Sequence, residues 1–106
     1  MSIKSLISDW HAFVEGVLNG YEFDISEYEN DLALRDHIEN EVQKETIIDQ
    51  SFKAALDNSD TRLREILIPL SRPLKIMPAT PWWYMGIPAN ALEVVNDARE
   101  LGLLDF

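Results

Sequence analysis

The chain has no cysteine among its 106 residues. Disulfide frameworks, Cys-based zinc sites and thiol nucleophiles are excluded together, so the fold must rest on an apolar core. Cations are scarce: nine Lys and Arg face nineteen Asp and Glu, for a formal net charge of −10 and a pI near 4.4. Gripping a nucleic-acid backbone takes clustered cations, so a nucleic-acid partner is not expected. A protein partner is expected to be basic. The four glycines, Gly16, Gly20, Gly86 and Gly102, do not cluster, and no phosphate-cradling Gly-rich loop or Gly-x-Ser-x-Gly elbow is present. No run approaches the roughly 18 apolar residues of a membrane span. Met1-Ser2-Ile3-Lys4-Ser5 lacks the basic region and apolar run of a secretory signal. These absences predict a cytoplasmic protein with no membrane partner.

What is present is ordinary globular composition, 46% hydrophobic and 26% charged, at a length that suits one domain over residues 1–106. Ile3, Leu6, Ile7, Trp10, Phe13, Val14, Val17 and Leu18 form one helical stripe, with Ser2 placed to cap it and Gly20 to stop it. The spacing predicts a helix over 3–19 and makes it the central packing element. Ser26 and Glu29 have the spacing of a capping box, which predicts a second helix over 26–44 through Leu32, Leu34, Ile38 and Val42. A third stripe, Ile48, Phe52, Leu56, Leu63, Ile66, Leu67 and Leu70, with Ser59 in phase between Leu56 and Leu63, predicts one long helix over 46–68. Asn58-Ser59-Asp60 is the alternative, a turn that would divide it.

All five prolines fall in residues 69–88, which excludes a regular helix there. The last segment, 90–101, reads as a helix with Leu92, Val95, Ala98 and Leu101 facing inward and Gly102 as its stop. No run alternates as a strand does. The expected fold is all-α, a compact bundle of about four helices with an aromatic, Pro-rich loop before the last one.

Charge is concentrated. Residues 21–49 hold ten acids against Arg35 and Lys44, a net of −8, whereas residues 50–80 are net +2. Such a segment is either a solvated face or a docking surface for a basic protein. Asp36, Glu39, Glu41 and Glu45 are its candidate contact residues. Trp82, Trp83 and Tyr84 are the others, because aromatic rings dominate interface energetics. The competing reading folds these rings over the core, with one Trp buried and the other partly exposed. Tyr28, Leu32 and Arg35 share a helix face beside Asp31, as a buried polar clamp would; Asp31 and Arg35 are equally placed to anchor the aromatic loop. His37 and Glu41 have a spacing able to hold an ion, but no HExxH, paired Glu-x-x-His or Asp-x-Asp-x-Asp-Gly pattern supports a metal. No cofactor is expected. Carboxylates are too abundant to single out a catalytic pair, and the expectation is a non-enzymatic protein.

Trp10, Gly20-Tyr21, Glu27-Tyr28-x-Asn30-Asp31-Leu32-x-x-Arg35 and Trp82-Trp83-Tyr84-x-x-Ile87-Pro88 together resemble a family of small uncharacterised bacterial proteins. In size, acidity and helical character the chain is also similar to immunity proteins of bacterial toxin systems, including contact-dependent growth inhibition. That likeness implies a protein that neutralises a basic toxin domain; a monomer or homodimer is expected. The alternative is a structural or regulatory module that self-associates through an aromatic or apolar patch.

Overall fold

Apolar residues at helical spacing build five helical segments in the computed structural model, which describes residues 2–45 and 49–104. They are α1 (Ile3–Leu18), α2 (Ile25–Asp31), α3 (Ala33–Lys44), α4 (Gln50–Arg64) and α5 (Leu92–Glu100). Two short strands, β1 (Leu67–Pro69) and β2 (Gly86–Pro88), flank the proline-rich loop, and a 3-10 turn (Trp82–Tyr84) precedes β2. The fold is mainly helical but not all-α. Three-residue strands are too short for alternation to register in a sequence.

Helix α1 lies at the centre and packs on α4 and α3. Its stripe buries Leu6, Ile7, Trp10, Val14 and Val17. The Ser2 hydroxyl accepts the Ser5 N–H at 3.2 Å, and Gly20, at φ +118°, turns the chain away.

The segment expected as one helix over 26–44 is broken at Leu32 into α2 and α3. Its cap is Asp24, not Ser26: the Asp24 carboxylate accepts the Glu27 N–H at 2.9 Å. Two residues earlier, a carboxylate meets the free N–H groups of a helix that starts at Ile25, and its positive end, with a full charge. The break lets α2 pack on α5 while α3 packs on α1.

Helix α4 runs unbroken through Asn58-Ser59-Asp60, and Ser59 and Asp60 are both buried. Asp49 caps it, accepting the Ser51 N–H at 2.8 Å. Ile48, assigned to this stripe, lies outside the described residues. The helix ends at Arg64, short of 68, because Leu67–Pro69 is extended and pairs antiparallel with Gly86–Pro88. Pro69 disfavours helix in the residue before it. Ile68 sits opposite the fully buried Ile87. A Cβ at Gly86 would lie 3.1 Å from both the Ile68 carbonyl oxygen and the Leu67 Cβ, so a larger residue there would have to push the facing strand by a few tenths of an ångström.

Helix α5 begins at Leu92, and its inward face differs from the expected one. Ala91, Val94, Val95 and Ala98 are buried, while Leu92 and Leu101 are 71% and 55% exposed. The strand before it delivers Ala91 to the core and so sets the helix's rotation. Gly102 (φ +72°) ends the helix. The Leu103 N–H reaches the Ala98 carbonyl at 2.8 Å and the Gly102 N–H reaches that of Arg99 at 3.2 Å, a Schellman closure.

Among the described residues two charged side chains are buried, Arg35 and Asp60. The Arg35 Nε–H donates to Asp60 Oδ1 at 3.1 Å and its Nη2–H to Oδ2 at 2.9 Å. The Trp10 indole N–H donates to Oδ1 at 2.9 Å. Removing Asp60 leaves the buried Arg35 with only one of its three donor contacts, that to the partly exposed Glu39. Asp60→Ala is therefore expected to cost about 3–5 kcal/mol in urea unfolding; a loss below about 1 kcal/mol would show the pair to be incidental. Tyr28 is the opposite case. It is fully buried and its hydroxyl has no hydrogen-bond partner among the described residues. Tyr28→Phe removes that unsatisfied group, so its unfolding midpoint is expected to match or exceed the parent's. A marked fall would mean that the hydroxyl has a partner.

Candidate protein-binding groove

The proline-rich loop is tied down at both ends. The Leu70 N–H donates to the Met85 carbonyl at 3.0 Å and the Leu74 N–H to that of Tyr84 at 2.8 Å. Asp36, on α3, holds its centre: the Trp83 indole N–H donates to Oδ1 at 3.0 Å and the Tyr84 hydroxyl to Oδ2 at 2.5 Å. Lys75 Nζ stands 4.0 Å from the same carboxylate. Arg35 adds a stacked contact, its guanidinium 4.4 Å from the Trp83 ring centre. Trp82 meets Trp83 edge to face at 5.5 Å and carries Arg64 at 4.2 Å. Trp83 and Tyr84 are buried; Trp82 is half-buried.

Between loop and helix lies a groove of about 720 Å³, within the size range of ligand pockets. One wall is α3, presenting Asp36, Glu39, Asn40 and Gln43. These positions run i, i+3, i+4, i+7, one face of a helix. The other wall is Met77, Ala79, Pro81 and Trp82. Arg35 and Trp83 lie beneath, and Lys75 also lines it.

Of the seven residues singled out in the sequence, the groove brings together Asp36, Glu39, Trp82 and Trp83. Asp36 is occupied by the loop rather than presented as a free acid. Glu39 is 39% exposed and accepts from Arg35 Nη1 at 3.1 Å. Tyr84 is buried. Glu41 lies outside the groove, between His37 at 3.9 Å and Lys44 at 3.4 Å. Glu45 is exposed at the end of α3 and also stands apart. Tyr28, Leu32 and Arg35 are all buried, but they do not form a polar clamp: of the three side chains only Arg35 is hydrogen-bonded, and the Tyr28 hydroxyl has no partner among the described residues. Asp31 does not anchor the aromatic loop; it accepts the Tyr21 hydroxyl at 2.5 Å. The sequence reading passed over Asn40, Gln43, Lys75, Met77 and Pro81. Asn40 and Gln43 carried a signal, since they continue the Asp36–Glu39 face, but the loop residues had no periodicity to place them.

Among the described residues no group of three or more His, Asp or Glu is placed to hold a metal ion, and no helix is long and apolar enough to cross a membrane. No family model, curated protein or solved structure matches the chain.

The three tyrosines share one electrostatic feature. Burial pushes the phenols of Tyr21, Tyr28 and Tyr84 well above the ordinary tyrosine value, and the carboxylates of Asp31 and Asp36 push Tyr21 and Tyr84 further. Unfolded tyrosines ionise near ~10. Above that pH the unfolded chain releases protons the folded chain retains, so the stability contributed by these groups is intact below about pH 10 and falls as pH rises beyond it. Phenolate absorbance is expected to rise together with loss of helical circular dichroism. Phenolate appearing near pH 10 with the helix intact would place these hydroxyls in water.

Proposed function

We propose that this protein is a non-enzymatic binding module that engages a basic protein partner through the face formed by α3 and the aromatic loop, as a bacterial toxin-neutralising immunity protein does. The observation that carries the reading is the groove, where Glu39 and the half-buried Trp82 stand on opposite walls. Charge and an aromatic anchor do different work in such an encounter. The −8 held by residues 21–49 steers a cationic partner toward this side of the molecule. Trp82 then supplies rigid contact area that slows dissociation. Exposed Phe23 and Leu92, at 62% and 71%, favour a second reading, self-association near the C-terminal end of α1. Sedimentation that is independent of concentration would remove it.

The test uses a partner captured from the native cell and purified. Glu41→Lys with Glu45→Lys reverses two acids outside the groove, and Glu93→Lys with Glu100→Lys is the matched pair on α5. The first pair is expected to slow association several-fold and to flatten its salt dependence, because salt screens steering over about 8–10 Å. The second pair should leave both nearly unchanged. Equal effects of the two pairs, or association indifferent to salt, would sink the reading.

A further inference from the structure

Resting on the reading above, the groove's own chemistry specifies what the partner must insert. The buried and lining charges do not balance. Asp36, Glu39 and Asp60 are three carboxylates facing two cations, Arg35 and Lys75. Asp60 is occupied by Arg35 and Trp10, and Asp36 by Trp83, Tyr84 and Lys75. The surplus negative charge falls on Glu39, the most exposed of the three at 39% against 22% and 12%. Its Oε1 accepts from Arg35, and its Oε2 has no partner among the described residues. Asn40 and Gln43 place two amide groups beside it on the same helix face. Opposite stands a hydrophobic wall of Met77, Pro81 and Trp82.

One side chain matches an acceptor row facing an apolar wall. Arginine has a long apolar stem, a planar head with five donors and an affinity for indole faces. Lysine offers a point charge with stronger hydration and no fork. The loop already uses the guanidinium–indole contact twice, Arg35 on Trp83 at 4.4 Å and Arg64 on Trp82 at 4.2 Å. Arg64 does not line the groove, whereas Trp82 does and is half-buried, so part of its indole is accessible there. We infer that the groove receives an arginine side chain of the partner protein, its guanidinium on Glu39 Oε2 with Asn40 and Gln43, its stem against Trp82 and Met77.

The probe is a blocked tripeptide with a central arginine, compared with its lysine and citrulline counterparts. The readout is the Trp82 indole N–H in nitrogen–proton correlation spectra, assigned through Trp82→Phe. The arginine peptide should shift this signal and the Asn40 and Gln43 side-chain amides saturably. The lysine and citrulline peptides should bind at least about threefold more weakly, the size expected of a half-exposed charge pair. Glu39→Gln keeps a side-chain oxygen for Arg35 but removes the charge, and should weaken the arginine peptide by about threefold or more. Should that variant unfold, Gln43→Ala on the exposed side of α3 replaces it, with the same direction of change expected. Equal affinity for all three peptides, no saturable shift, or an arginine affinity untouched by the substitution would overturn the inference. None of these measurements contains the partner. They can fail while the Glu41 and Glu45 kinetics still support a charged docking face, and the two failures are told apart.

Discussion

Asp60 is the point through which the rest of this structure is connected. One carboxylate on α4 receives the indole of Trp10 from α1 and the Nε and Nη2 donors of Arg35 from α3. Arg35 in turn lies against Trp83 of the aromatic loop. A buried ion pair is a poor source of net stability, since desolvation offsets much of the Coulomb gain. Its value here is geometric. A guanidinium gripped at two nitrogens is fixed in orientation, and through it and the shared carboxylate α1, α3, α4 and the loop meet at one point.

That constraint explains why the groove exists. Arg35 and Asp36 are neighbours in sequence and project differently from α3. Arg35 reaches inward to α4, while Asp36 reaches along the surface to the Trp83 and Tyr84 donors. The ribbon of Leu67–Pro69 and Gly86–Pro88 closes the base of the loop. Held at its base and its aromatic turn, the loop stands beside α3 without covering the Asn40 and Gln43 positions, and the space between is the groove.

The acidic segment also divides by side-chain length. All four of its aspartates have structural partners: Asp24 and Asp49 cap helices, Asp31 takes Tyr21, and Asp36 takes the aromatic turn. Glu39 and Glu41 form ion pairs at the surface, and Glu22, Glu27 and Glu45 are exposed. A short carboxylate reaches nearby donors with less rotamer entropy to lose, whereas a long one costs more to immobilise and stays in solvent. Hydrogen bonding leaves the charge in place. The same residues that build the fold therefore supply much of the field a basic partner would meet.

The α1 stripe, the unbroken α4 across Ser59 and the glycine stop at Gly102 were readable from the sequence, because each depends on residues within one or two helical turns of each other. So was the concentration of negative charge, which needs no coordinates. The break at Leu32, the rotation of α5 that exposes Leu92, and the strand pairing of Ile68 with Ile87 were not. Each is set by an element far along the chain, and short strands leave no periodic trace. The groove shows the same division. Asp36, Glu39, Trp82 and Trp83 stood out by residue type, but their meeting depends on hydrogen bonds spanning 47 and 48 positions. A local pattern determines which face of a helix is apolar. Only the closed tertiary structure decides which distant donor that face's carboxylate will find, because the partner is chosen by burial and geometry rather than by spacing along the chain.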